Sequence, residues 1–281
     1  MPQPGDVVAA FGSVWVQSRA DGALWRIDPT GGVTARLRGA AALHGDPRLG
    51  SWSIGLAAGF GSVWSLTNDA LLRIDPASGH VDARVAISSP RTLAVGAGAV
   101  WVVCCRSQIT LLRIDPSTLR ADVFARVGTS IGAVAVAEGS IWLMKFSEGG
   151  GMFKIDAASG AIEDLQVGYN DRSVVATPRW LWLVDDGQGE RIDPSDGSPV
   201  DPRPQRKAPR SIGASYSHGT VWINSGTAVG VDAVSGAVTD RLPGFTDVKW
   251  WWTGGIAQLG RRVWIADPGS DRVLGLPLTS G

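Results

Sequence analysis

Residues 53–86 read SIGLAAGFGSVWSLTNDALLRIDPASGHVDARVA. Turn formers at Phe60-Gly61-Ser62, Asn68-Asp69 and Ala77-Ser78-Gly79 divide this stretch into four short β-prone runs. The first run is small and apolar, the second carries Trp64, the third ends in Ile74-Asp75-Pro76, and the fourth alternates apolar with charged residues from Val81 to Val85. The pattern then recurs along the chain. Trp15, Trp64, Trp101, Trp142, Trp182, Trp222 and Trp264 each follow a short turn and an apolar residue, at intervals of 49, 37, 41, 40, 40 and 42. A period near forty marks a repeat architecture, because one such unit cannot bury its apolar face alone. Four-stranded sheets repeated radially make a β-propeller.

The expected fold is therefore all-β, a seven-bladed propeller forming one domain over residues 1–281. Its blades are expected near 6–37, 53–87, 91–127, 131–167, 172–203, 211–242 and 254–281. We call the four strands of a blade A to D, from the axis outward. Strand A is small and apolar, as in Leu56 to Ala58 and Val134 to Val136, which suits a crowded centre. Strand D is partly charged, which suits an outer edge. Asp28, Asp75, Asp115, Asp156, Asp193 and Asp232 recur at one turn position per blade, so they read as Asx-turn acceptors rather than catalytic carboxylates. The repeat tryptophans read as filling between neighbouring sheets, each burying on the order of 200 Å². Blade seven runs out before a strand D, Met1 to Gly5 are too short and proline-rich to replace it, and strand A of blade one is expected after Asp6. Closure is expected through packing of blades one and seven.

Lys and Arg balance Asp and Glu at 26 each, which argues against a nucleic-acid or anionic-membrane partner held by bulk charge. No apolar run is long enough to span a bilayer. No secretory leader precedes the first repeat, and the compartment stays open. Cys104 and Cys105 are adjacent and are read as reduced buried thiols, a vicinal disulfide being the sharper alternative. No cofactor and no Cys/His metal framework is expected.

The copies G-S-V-W-V and R-I-D-P-x-x-G resemble bacterial propellers of the YVTN/NHL type and the virginiamycin B (streptogramin) lyase family. The resemblance covers nearly the whole chain and implies the scaffold. The lyases of that family need His and Glu residues converging with a metal at the axial cavity. Here His80 and His218 belong to turns on the opposite face, leaving His44 alone, so the metal-dependent pattern does not carry over.

Sites in a propeller gather where the B–C loops and D–A connections meet. Three residues after each repeat Trp, strand B ends at that face with Ser18, Thr67, Cys104, Lys145, Asp185, Ser225 and Asp267. This mixed polar set fits a one-sided small-molecule pocket and equally fits unselected loop starts. Lys145 and Asp185, from neighbouring blades, are candidates for proton transfer if burial shifts their pKa values, with Asp267 as a third catalytic candidate. The ligand-binding candidates start with two long D–A connections. Residues 38–52 contribute His44, Arg48 and Trp52, and residues 243–253 contribute Trp250, Trp251 and Trp252. Alternation of side chains forbids three consecutive indoles from sharing one core. Arg91, Arg172 and Arg210, at the starts of strands A, suit an anionic group such as a carboxylate. Cys104 and Asn224 complete the set. Three readings follow: a module binding a small molecule, peptide or partner protein on this face, a lyase- or cyclase-type enzyme of small-molecule metabolism, or a repeat-domain fragment of a larger regulator or sensor, fused to or docked on another domain.

Overall fold

The computed structural model describes residues 1–41, 55–105, 108–145, 150–165, 173–185, 188–201, 213–224, 226–243 and 254–278, with backbone only at 185 and 188. Blade one holds β1 (Pro4–Ala10), β2 (Ser13–Ser18), β3 (Ala23–Ile27) and β4 (Val33–Leu37). Blade two holds β5 (Leu56–Gly59), β6 (Ser62–Leu66), β7 (Ala70–Ile74) and β8 (Val81–Ala86). Blade three holds β9 (Thr92–Gly96), β10 (Ala99–Cys104), β11 (Thr110–Ile114) and β12 (Ala121–Arg126). Blade four holds β13 (Ile131–Ala137), β14 (Ser140–Lys145), β15 (Met152–Asp156) and β16 (Ile162–Leu165). Blade five holds β17 (Ser173–Ala176), β18 (Leu181–Asp185) and β19 (Gln188–Ile192). Blade six holds β20 (Gly213–Ser217), β21 (Thr220–Asn224), β22 (Ala228–Asp232) and β23 (Val238–Arg241). Blade seven holds β24 (Ile256–Leu259), β25 (Arg262–Asp267) and β26 (Arg272–Pro277).

Each blade is an antiparallel meander in chain order. The strands A touch in the cycle β1, β5, β9, β13, β17, β20, β24 and back to β1, so seven sheets close a ring. Most A–B hairpins turn through two residues with positive φ, such as Phe60 at 52° and Gly61 at 73°. Both central residues of a type I′ turn need that conformation, and its twist matches that of the strands.

The tryptophans explain why the ring closes. Trp15 packs with Leu56 and Val63 of blade two. Trp64 packs with Leu93 and Val100 of blade three, Trp101 with Ile131 and Ile141 of blade four, and Trp142 with Val174 and Leu181 of blade five. Trp182 meets Val221 and Ile223, Trp222 meets Val263 and Ile265, and Trp264 returns to Val14 and Val16 of blade one. Each indole therefore belongs chemically to the next blade. Burying it favours the ring over any isolated sheet, because association removes apolar area from water.

A second device clasps the rim opposite the B–C loops. The cross-strand partner of the repeat Trp on strand C is basic in blades one to five: Arg26, Arg73, Arg113, Lys154 and Arg191. Arg26 Nη1 donates to Ala77 O (3.1 Å), and Arg73 Nη1 donates to Pro116 O (3.2 Å). Lys154 donates to Ser195 O and Arg191 to Val234 O. Each acceptor is in the C–D turn of the following blade. The R-I-D-P string is thus two halves of one joint: the basic residue reaches forward, and the turn built on the next Asp receives it. The carboxylates hold those turns as expected. Asp28 Oδ1 accepts from the N–H groups of Thr30, Gly31 and Gly32 at 2.8–2.9 Å. Asp115 Oδ1 accepts from Ser117 N and Thr118 N, both at 2.8 Å. In blades six and seven the Trp partner is Gly230 or Gly275 instead. A Cβ there would lie 3.0 Å from the indole, so the clasp stops at the seam through blades six, seven and one.

Two expectations are corrected. Strand A of blade one begins at Pro4 rather than after Asp6, because Pro4 pairs with Ser18 across a bulge. Gln3 N–H also donates to Asp271 Oδ1 (2.7 Å), so this segment ties blade one to blade seven. Blade five shows a bridge between Ile192 and Pro199 where its strand D is expected, and residues 202–212 lie outside the described residues. Cys104 and Cys105 are joined as a disulfide, not left as two thiols: their Cα atoms are 3.8 Å apart and Cys105 takes a positive φ of 72°, which brings the sulfur atoms together. Among the described residues blade seven shows three strands, with no strand D.

Candidate functional site

The starts of neighbouring strands A meet, as where Gly255 N–H donates to Gly5 O and Gly55 N–H to Asp6, so in these antiparallel meanders those starts, the B–C loops and the D–A connections share one face. The strand-B ends meet it as expected: Ser18, Cys104, Lys145, Asp185 and Asp267 close their strands, and Thr67 lies one residue beyond β6. Ser225 lies outside the described residues.

The described members of this set are engaged within their own blades. Ser18 Oγ donates to Asp21, and Asp21 pairs with Arg36 of β4. Burial pushes the Asp21 carboxyl up, but its bonds from Ser18 and Arg36 prevail and hold it below the usual range. Thr67 Oγ1 donates to Asp69 (2.8 Å), and Asp69 pairs with Arg84 of β8 (2.6 Å). Hydrogen bonds from Thr67 and Arg84 keep the Asp69 carboxyl low. Ser270 Oγ donates to Asp267, which ties the last B–C turn. Cys104 is held in the disulfide and buried.

Lys145 departs from its expected partner. Its ammonium pairs with Asp164 of β16 in its own blade and lies 4.4 Å from the centroid of Phe153. The carboxylate sits on the outer strand, so the Lys145 side chain runs away from the axis. Lys145 is thus held in an ion pair folded over the face of blade four, and the Asp185 side chain lies outside the described residues.

Side-chain amides join neighbouring blades on this face. Asn224 Nδ2 donates to Gly254 O (2.9 Å), where the chain enters blade seven. Gln17 Nε2 donates to Gly55 O (3.0 Å) and Ser65 Oγ (2.8 Å), where it enters blade two. Both amides sit two residues after the repeat Trp, and each holds the glycine at which a long D–A connection rejoins the ring. Asp6 is at the same blade-one seam, accepting from Gly55 N (2.7 Å) and pairing with Arg19 (3.5 Å). Burial pushes its carboxyl up, against the pull of Arg19 and the Gly55 N–H. Gln17 and Asp6 lie outside the sequence-derived set. The Trp+2 position on strand B, compared between blades one and six, was the signal for Gln17.

Arg91 behaves differently. It precedes β9 at the axis and is half-buried. Its backbone N–H donates to Val103 O (2.8 Å), which fixes where the side chain leaves the chain. Nη1 makes one long bond of 3.3 Å to Ser130 Oγ of the next blade. A guanidinium presents a fork of donors, and this bond leaves most of it uncommitted among the described residues. The neighbouring Thr92 hydroxyl is buried and has no partner among the described residues. His44, Arg48, Trp52, Arg172, Arg210, Trp250, Trp251 and Trp252 lie outside the described residues. Among the described residues no three His, Cys, Asp or Glu side chains gather as a metal-ligand set, and no helix is long and apolar enough to cross a membrane.

Solved propellers superpose on the whole ring. The WD40 domain of Neurospora crassa Pan2 aligns with a TM-score of 0.69 at 12% identity, covering 98% of this chain and 90% of that one. The β-propeller domain of Myceliophteria thermophila Cps50 (Swd1) aligns at 0.68 and 13%, covering 99% and 98%. The computationally designed Ika8 protein aligns at 0.67 and 13%, covering 99% and 96%. At such identities the likeness is one of fold. No protein-family model and no curated protein matches the chain.

Proposed function

We propose that this protein is a binding propeller which receives an acidic group of a small molecule, peptide or partner protein on its loop face, at the axial mouth beside Arg91. The supporting observation is the contrast between Arg91 and the other described polar residues there. Ser18, Thr67, Lys145, Asn224 and Asp267 are committed to local bonds, whereas Arg91 keeps donors in reserve at a half-buried position. A guanidinium fork suits a carboxylate or phosphate better than a point charge does. A module of this kind fits the binding or scaffold role of propellers, and the R-I-D-P likeness to streptogramin-lyase-type scaffolds is carried by the inter-blade joint, not by a reactive constellation. The binding reading is favoured over the enzyme one by the commitment of Lys145 to Asp164.

The test presents immobilised protein with the metabolite and peptide extract of its host, and retained species are identified by mass spectrometry. Acidic species are expected to be retained, lost on Arg91→Glu, and kept on Glu138→Lys, which alters an A–B turn on the opposite face. Retention indifferent to Arg91→Glu overturns the reading, as does recovery of a captured compound in chemically altered form.

A further inference from the structure

Blades one, two, three, four and six cover the outer edge of strand C with a fourth strand. Blade five covers it in part, through the Ile192–Pro199 bridge and a bond from Val200 N to Arg191 O (2.8 Å). In blade seven nothing pairs with the outer edge of β26 among the described residues. The bond from Leu278 N to Arg261 O (2.9 Å) sets the phase of that strand. In an antiparallel ladder alternate residues turn their backbone groups to one neighbour. Arg272, Leu274 and Leu276 therefore bond toward β25, while Val273 and Gly275 direct N–H and C=O outward and Pro277 directs only its carbonyl. Such a row of groups is a template for another strand.

The charges specify what suits it. In blades two, four and five a carboxylate from the outer segment answers a cation of the inner strands: Asp82 with Arg73 (3.1 Å), Asp164 with Lys145, and Asp201 with Arg191 (2.6 Å). Blade seven has the cation without the acid. Arg262 Nη1 lies 3.4 Å from Gly275 O, an outward carbonyl, and forms no ion pair among the described residues. Arg261 and Arg272 add exposed positive charge beside it. A second copy paired edge to edge would bring arginines together along a strand that contains no carboxylate, and like charges placed opposite one another destabilise. An apolar–acidic strand meets both conditions: its carboxylates lie on the Val273 face, toward Arg262, and its apolar side chains, on the other face, continue that of Leu276, which packs toward blade six.

We infer that the outer edge of β26 is a strand-docking site for an extended segment of another protein, paired antiparallel with Val273 and Gly275 and setting an acidic side chain against Arg262. This site is separate from the Arg91 mouth and does not depend on it. The probe is a fluorescent synthetic strand alternating valine with glutamate, matched to the six residues of β26, with a lysine-for-glutamate counterpart. Anisotropy should show binding of the glutamate strand to the full chain and not of the lysine strand. Arg262→Glu should weaken it by about tenfold or more, equivalent to about 1.4 kcal/mol. Val273→Pro, which removes an outward N–H while sparing the β25 ladder, should abolish it. Melting curves check that each variant folds, and if Val273→Pro does not fold, Arg262→Glu with the lysine strand decides. Equal binding of both strands, binding unchanged in the variants, or a dimer of the chain that Val273→Pro dissociates overturns the inference.

Discussion

Trp15 and Trp64 occupy equivalent positions in consecutive blades, both buried, yet their indole N–H groups differ. Trp64 Nε1 donates to Gly59 O at 3.0 Å, whereas Trp15 Nε1 is buried with no partner among the described residues. Replacing each by Phe removes a similar volume from a similar place between sheets, so the cavity cost largely cancels in the comparison. What remains is the polar atom. Trp64→Phe loses a hydrogen bond with a net value of about 1 kcal/mol and leaves the Gly59 carbonyl short of a donor, at roughly 1 kcal/mol more. Trp15→Phe removes a donor that was already unsatisfied and loses only part of the Arg26 cation over the ring, 5.5 Å from its centroid, about 0.5 kcal/mol. Trp64→Phe should therefore be the costlier by about 1–2 kcal/mol, roughly 3–6 °C in melting temperature for a chain of this size. Paired thermal unfolding in one buffer measures it. Trp101→Phe should follow Trp64→Phe, since its Nε1 donates to Gly96 O at 2.9 Å. A Trp15→Phe protein that melts at or below Trp64→Phe refutes the reasoning.

The joint between blades should be measurable in the same way: Arg73→Ala, which breaks the bonds to Pro116 and Asp82, should cost about 1 kcal/mol after allowance for its partial exposure. Arg113→Ala, at the equivalent but exposed position of blade three, should cost less, and equal losses in urea titrations would disprove the joint. The turn carboxylates Asp28, Asp75, Asp115, Asp156 and Asp232 are all held below their ordinary range by hydrogen bonds from their own turns. They bind fewer protons folded than unfolded, so their stabilisation is present above an unfolded carboxyl pKa of about 3.9 and is lost as the pH falls below it. Asp115→Asn should flatten the fall in melting temperature between about pH 4 and pH 2; an unchanged slope in a pH series would show that these turns are not responsible.

Much of the fold was legible because the repeat signals are local and redundant. A turn, a tryptophan and an Ile-Asp-Pro string recur often enough that chance cannot align them, and the carboxylate turns follow from short-range hydrogen bonding alone. The role of Arg26, Arg73 and Arg191 was not legible in the same way. Their acceptors are carbonyls of the next blade, 43 to 51 residues away, and a main-chain oxygen has no sequence signature. Lys145 was misdirected for a related reason. Its position on strand B is set by the repeat, but whether its long side chain turns to the axis or outward over Phe153 depends on a carboxylate two strands away. The disulfide ranked second to two free thiols in the sequence because adjacent cysteines meet only in an uncommon backbone conformation, which Cys105 adopts.

Because Trp264 lies on blade one as Trp15 lies on blade two, the interior has no first or last sheet. The peptide chain has an order that its packing does not share. A circular permutant opened in the exposed Ala97–Gly98 hairpin and joined elsewhere would meet the same neighbours around the same axis, so linear order along the polypeptide can be rearranged while the native architecture is retained.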